Sequence, residues 1–149
     1  MATVYTTAVA GRVIAIDLGA RRIGVAMTDG LGLTAQPLDT IARHGGQRDL
    51  DAIAALVTTH GAERIILGLP LDPDGERGRA AKSVEAFAAR LRGAVSVPVE
   101  LIDESFSTVE AEEVLLAADV SRARRREVID KMAAAVILRR WLDTQTSNR

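Results

Sequence analysis

Three carboxylates far apart in the chain, Asp17, Glu104 and Asp130, are the side chains best placed to do chemistry. Asp17 closes the short apolar run 13–16, and Glu104 lies just past the run 97–103. Asp130 is followed by Ala134, Ile137 and Trp141 at i+4, i+7 and i+11, so a helix there presents one apolar face with an aspartate on it. In an open α/β sheet, sites gather at the carboxyl ends of the strands. Acids at two strand ends and on a covering helix are therefore candidates for one cluster. Converging, partly buried carboxylates repel one another and are costly to desolvate, a conflict that a divalent cation removes. Hard oxygen donors suit Mg²⁺ or Mn²⁺. One or two such ions, about 3.5–4 Å apart if two, activate a water and stabilise the leaving oxygen in phosphodiester hydrolysis. Each acid also has an ordinary explanation: an Asx turn for Asp17, a solvated loop acid for Glu104 and an arginine salt bridge for Asp130.

The elements that must position these acids follow from the hydrophobic pattern. Residues 13–16 and 23–27 read as short strands joined by a turn at Gly19, and 36–41 as a third, a meander of antiparallel strands. From Gln47 the period becomes helical through Leu50, Ile53, Ala54 and Val57, with Gly61 as the stop. Residues 64–70 are a compact apolar run of the kind that forms a central strand buried on both faces. A loop follows at 71–80, then a helix marked by Val84, Phe87, Ala88 and Leu91, and a strand at 97–103. "STVE" at 107–110 is a capping box that opens a further helix, and a last helix spans about 121–143. The order β-β-β-α-β-α-β-α-α predicts a mixed α/β sheet flanked by helices. The expected organisation is one domain over 12–143, with a flexible extension at 1–11 and a flexible tail at 144–149.

Composition narrows the function classes. The chain has 149 residues, 48% of them hydrophobic, enough for a single core. It has no cysteine, which excludes disulfides, thiolate metal sites and cysteine nucleophiles. The opening residues lack a basic and apolar leader pattern, and no stretch approaches the roughly 20 apolar residues of a membrane span; a soluble, cytoplasmic protein is expected. His44 and His60 have no partner spacing that suggests zinc, and one Trp, one Tyr and two Phe are too few for a base-stacking platform.

Net charge is only −1, yet the charges segregate. Against Lys82 and Lys131 stand 17 arginines, a bias that a GC-rich genome would also produce. Arg122, Arg124, Arg125 and Arg126 crowd the start of the last helix, where the macrodipole favours anions. Either neighbouring glutamates and water offset them, or they contact phosphate near the acids, setting affinity without reading sequence. Arg21 and Arg22 after Asp17, Arg77 and Arg79 in the glycine-containing loop, and Lys131 beside Asp130 are candidates for the same nucleic-acid face. Gly19 and Gly24 would permit the tight turn and close backbone packing beside Asp17, and Gly68 a close approach to the central strand.

The stretches "IDLGARRIGVAMTD", "LGLTAQPLDTI", "ILGLPLDPDGERG", "IDESFST" and "SRARRREVIDKMAAAVILRRWLD" occur in the order and at about the spacing found in the YqgF/RuvX family, which the chain resembles over nearly its whole length. The resemblance implies a ribonuclease H-like fold, a five-stranded mixed sheet whose first three strands are antiparallel, and a metal-dependent nuclease site at Asp17, Glu104 and Asp130. It implies structured RNA, pre-16S rRNA during ribosome biogenesis, as substrate, with a four-way DNA (Holliday) junction as the alternative. Either way a monomer or weak homodimer is expected. Where the family usually carries arginine after the glutamate, this chain has Ser105, which replaces a bidentate phosphate clamp by one hydroxyl. That departure favours a third reading, a non-catalytic nucleic-acid-binding module. The first stretch also resembles the phosphate loop of actin-like ATPases, which close two such domains around a nucleotide.

Overall fold

The structure, a computed structural model, describes residues 11–70, 78–104 and 122–147; for 104, 122–127 and 146–147 it describes the backbone alone. Five strands, β1 (Arg12–Leu18), β2 (Arg22–Thr28), β3 (Ala35–Ala42), β4 (Ala62–Pro70) and β5 (Val99–Glu104), form one sheet in the order β3-β2-β1-β4-β5. β2 is antiparallel to both β1 and β3, whereas β4 runs parallel to β1 and β5 parallel to β4. Helices α1 (Gln47–His60) and α2 (Arg79–Ala94) cover one face, and α3 (Arg122–Ser147) crosses the other. The expected five-stranded mixed sheet with an antiparallel start is therefore present. The expected capping-box helix at 107–110 lies outside the described residues.

Alternation along the strands sorts side chains between the two faces. Ile14, Ile16, Ile23, Val25, Ile65 and Leu67 join Leu50, Ile53, Phe87 and Leu91 beneath α1 and α2. Val13, Ala15, Ala26 and Ile66 meet Ala134, Ile137, Leu138 and Trp141 of α3. The residues under α3 are smaller, so that helix lies close to the sheet. β4 is buried through most of its length, as a central strand covered on both sides must be.

Local signals explain the boundaries. α1 stops at Gly61, whose left-handed φ of 64° lets its N–H reach the carbonyls of Val57 and Thr58. Its start has no side-chain N-cap at Gly46. Instead Asp49, in the first turn, reaches back to accept the N–H groups of His44 and Gly45 at 2.9 Å each. α3 continues to Ser147, beyond the end expected at 143, and so takes in the first four residues assigned to a tail. Among the described residues no helix is long and apolar enough to cross a membrane.

Candidate metal centre and nucleic-acid face

The β1–β2 hairpin builds the first part of the site. Asp17 continues the row of Val13 and Ala15, the face on which α3 lies. Its cross-strand partner is Gly24, and Gly24 in turn pairs with Thr40 of β3. A Cβ at Gly24 would collide with the main-chain carbonyl of Asp130. The helix backbone thus sits directly on β2 at the position opposite Asp17, and only glycine leaves room. This contact brings Asp130 beside Asp17.

Further along, α3 runs down β1 in the antiparallel sense, so that Trp141 reaches the ring-stacking distance of Arg64, 5.9 Å, near the start of the strand. Ala134 and Ile137 are fully buried and Trp141 is 6% exposed, so the face read from the i+4, i+7 and i+11 spacing is the packed one. The turns preceding Asp130 therefore continue past the sheet edge at which Asp17 stands. They carry Arg122, Arg124, Arg125 and Arg126, whose backbone is helical and whose side chains lie outside the described set.

The third acid is located by register. Ile66 of β4 and Ile102 of β5 pack on the α3 side, so positions 68 and 104 belong to the same rows. Gly68 pairs with Ile102, and Pro70 with Glu104 at the strand end. β4, with no side chain at Gly68, separates β1 from β5. At about 4.8 Å per strand spacing the two carboxylate-bearing strands lie roughly 10 Å apart. Were Asp17, Glu104 and Asp130 to share an ion, the donor set would be three hard carboxylates, which fits Mg²⁺ or Mn²⁺ and offers nothing to soft metals. Among the described side chains no group of three possible ligands occurs; the side chain of Glu104 is not one of them.

Two arginines shape the surroundings. Arg22 Nε donates to Asp130 Oδ2 at 2.5 Å, with the two side chains 34% and 18% exposed. Its expected role as a phosphate contact is thus joined by an ion pair to the helix acid. Arg43 is a residue whose importance the sequence did not signal. Its Nη1 donates to the Gly19 carbonyl at 2.7 Å, and its own N–H donates to the Arg21 carbonyl at 2.9 Å. The same guanidinium lies over the Phe87 ring and 3.5 Å from Asp49, which is 2% exposed. Arg43 therefore ties the turn between Asp17 and Arg22 to the core beneath α1 and α2. Gly19 is needed in that turn, since a Cβ would lie 2.7 Å from the Arg22 carbonyl. A carboxylate in the first turn of α1 was a readable capping signal for Asp49; nothing local marks Arg43 as its partner.

The remaining cations are distributed along the same edge. Arg21 is exposed in the β1–β2 turn, Arg79 is exposed at the start of α2, and Lys131 is half-buried next to Asp130. Arg77 and Ser105 lie outside the described residues. His44 is exposed and His60 half-buried, at the two ends of the α1 segment.

Comparison with known proteins agrees with this fold. The model of the family described as "RuvX: Holliday junction resolvase" matches residues 11–144. The chain belongs to the RuvX family. A relative from Myxococcus xanthus, provisionally named a pre-16S rRNA nuclease, is 51% identical over 132 residues, covering 89% of this chain and 87% of its own. One from Geobacillus kaustophilus with the same name is 48% identical over 136 residues, covering 90% and 99%. Among solved structures, Thermus thermophilus RuvC, alone and in complex with its Holliday junction substrate, superposes with TM-scores of 0.54 and 0.53. At 15% identity over 91% of this chain and 96% of that one, the likeness establishes a shared ribonuclease H-like fold. RuvX membership accounts for the order of the five quoted stretches, and the fold accounts for the strand order that puts the acids at one edge.

Proposed function

We propose that this chain is a divalent-metal-dependent nuclease that hydrolyses phosphodiester bonds in structured RNA, with pre-16S rRNA as its substrate. The observation that carries the reading is the seating of Asp130 on Gly24, directly opposite Asp17, in a sheet whose register ends β5 at Glu104 along the same edge. The names of the relatives supply the substrate, and such a substrate would put the enzyme in the cytoplasm.

Asp17, Glu104 and Asp130 would hold one or two Mg²⁺ or Mn²⁺ ions. When bound, the metal supplies Lewis acidity and a water acidic enough to attack phosphorus near neutral pH. The chain does the rest. The three acids set where the scissile phosphate must lie, Arg22 fixes the Asp130 carboxylate through Oδ2, and Arg43 holds the hairpin carrying Asp17. Arg21, Arg79 and Lys131, with Arg77 and the arginines at 122 and 124–126, would attract the backbone without reading sequence. Such contacts suit a substrate recognised by shape.

Asp17→Asn should abolish Mg²⁺- or Mn²⁺-dependent cleavage of a pre-rRNA fragment while leaving the thermal transition in place. Equal cleavage by pure wild type and variant would refute the three-acid mechanism. The second reading, cleavage of four-way DNA junctions, is favoured by the family description and by the RuvC fold. The same protein pair run on a junction decides between substrates. Binding without metal-dependent cleavage of either would favour the non-catalytic module.

A further inference from the structure

Beside Asp130, on the side away from β4, lies a polar hollow of about 370 Å³ lined by Arg22, Asp39, Thr40, Ala42 and Lys131. We propose that it is a subsite for one backbone phosphate of the nucleic acid, adjacent to the scissile one. The proposal rests on the nuclease reading and adds to it the course of the strand.

Placement comes first. Lys131 is the residue after Asp130, Arg22 is bonded to Asp130, and Thr40 is the register partner of the glycine on which Asp130 sits. The hollow is therefore the next position along the sheet from the acids, toward β3. It is continuous with their edge.

Donor chemistry comes second. A guanidinium carries five N–H groups, and the bond to Asp130 uses the one on Nε. Among the described residues, that leaves both Nη groups of Arg22 as donors of the fork that matches phosphate oxygens. Lys131 adds an ammonium with three donors. The single anion of the lining, Asp39, is exposed, and its Oδ1 accepts the Thr40 N–H at 2.8 Å. It opposes an incoming phosphate and so gives the proposal a second sign to test. In volume the hollow corresponds to about a dozen waters, room for a hydrated phosphodiester as well as an ion. Because Arg22 touches both Asp130 and the hollow, a phosphate held there would be set at a fixed distance from the acid. The strand would cross from the Asp17–Glu104 edge over β2 toward β3.

The test is binding of a labelled structured RNA to the Asp17→Asn protein, measured by anisotropy across a KCl series at fixed low Mg²⁺. Lys131→Gln should weaken binding and lower the slope of log K against log salt by about one, as loss of one phosphate contact does. Asp39→Asn should tighten binding. Arg48→Gln, an exposed change on α1, should alter neither. Melting curves matching the parent's keep the comparison about binding. An unchanged slope for Lys131→Gln, or weaker binding by Asp39→Asn, overturns the subsite. If that happens while wild type still cleaves and Asp17→Asn does not, the nuclease reading survives alone; if the protein binds no nucleic acid, both fall.

Discussion

Two arginine–aspartate pairs on opposite faces of the sheet, Arg43–Asp49 and Arg22–Asp130, differ in how far the protein engages the aspartate. Under α1 and α2, Asp49 is 2% exposed, accepts from His44 N–H and Gly45 N–H, and has Arg43 Nε at 3.5 Å as its ion-pair partner. Under α3, Asp130 is 18% exposed and receives one side-chain bond, from Arg22 to Oδ2. A carboxylate has about four acceptor positions on two oxygens. Asp49 accepts on both oxygens, whereas among the described residues Asp130 accepts a side-chain bond on Oδ2. The same residue pairing is thus buried on one face and partly exposed on the other.

Substitutions should separate the two. The largest effect on activity belongs to Asp130→Asn, which should reduce metal-dependent cleavage to background. A pair as exposed as Arg22–Asp130 contributes about 0–1 kcal/mol, so the thermal transition should barely move. Asp49→Ala should do the reverse. Breaking a buried pair and orphaning two amides costs about 3–5 kcal/mol, which for a chain of this size lowers Tm by roughly 10 °C. Comparable losses of stability in the two variants would erase the contrast. Gly24→Ala should be intermediate, destabilising by at least about 2 kcal/mol because main chain must move, and weakening cleavage as Asp130 shifts. Normal activity in that variant would show that the seat of α3 is not what aligns the acids.

The smallest effect concerns the β2–β3 turn. The N–H groups of Leu33 and Thr34 hold the exposed Asp29 carboxyl below the usual aspartate range. A depressed folded-state value means that its stabilisation is present above the unfolded value, about 3.9, and is lost as pH falls through the folded one. The protection of the Leu33 and Thr34 amides, their exchange relative to the free-peptide rate at the same pH, should therefore hold at neutral pH and fall only in acid below about pH 4. Asp29→Asn should remove the pH dependence without altering cleavage.

Much of the site was readable because its signals are local. Asp17 ends an apolar run, Asp130 shares a face with Ala134, Ile137 and Trp141, and Gly61 stops α1 by a conformation only glycine adopts freely. What stayed hidden depends on residues distant in sequence meeting in space. Arg43 joins three elements, and no periodicity encodes such a link. Arg22 looked like a free cation because its partner is 108 positions away. The hollow beside Asp130 exists only once β3 and α3 are side by side. The end of α3 at Ser147 was missed for a different reason: 144–147 are polar, and a helix that leaves its apolar support gives no hydrophobic signal.

The seat of α3 on Gly24 also bears on how such a site can change over generations. Because backbone meets backbone there, the starting point of whatever side chain occupies position 130 is set before its identity matters. A lineage can exchange the side chain at 130 and inherit its alignment without rebuilding the helix. Position 24 has no such freedom.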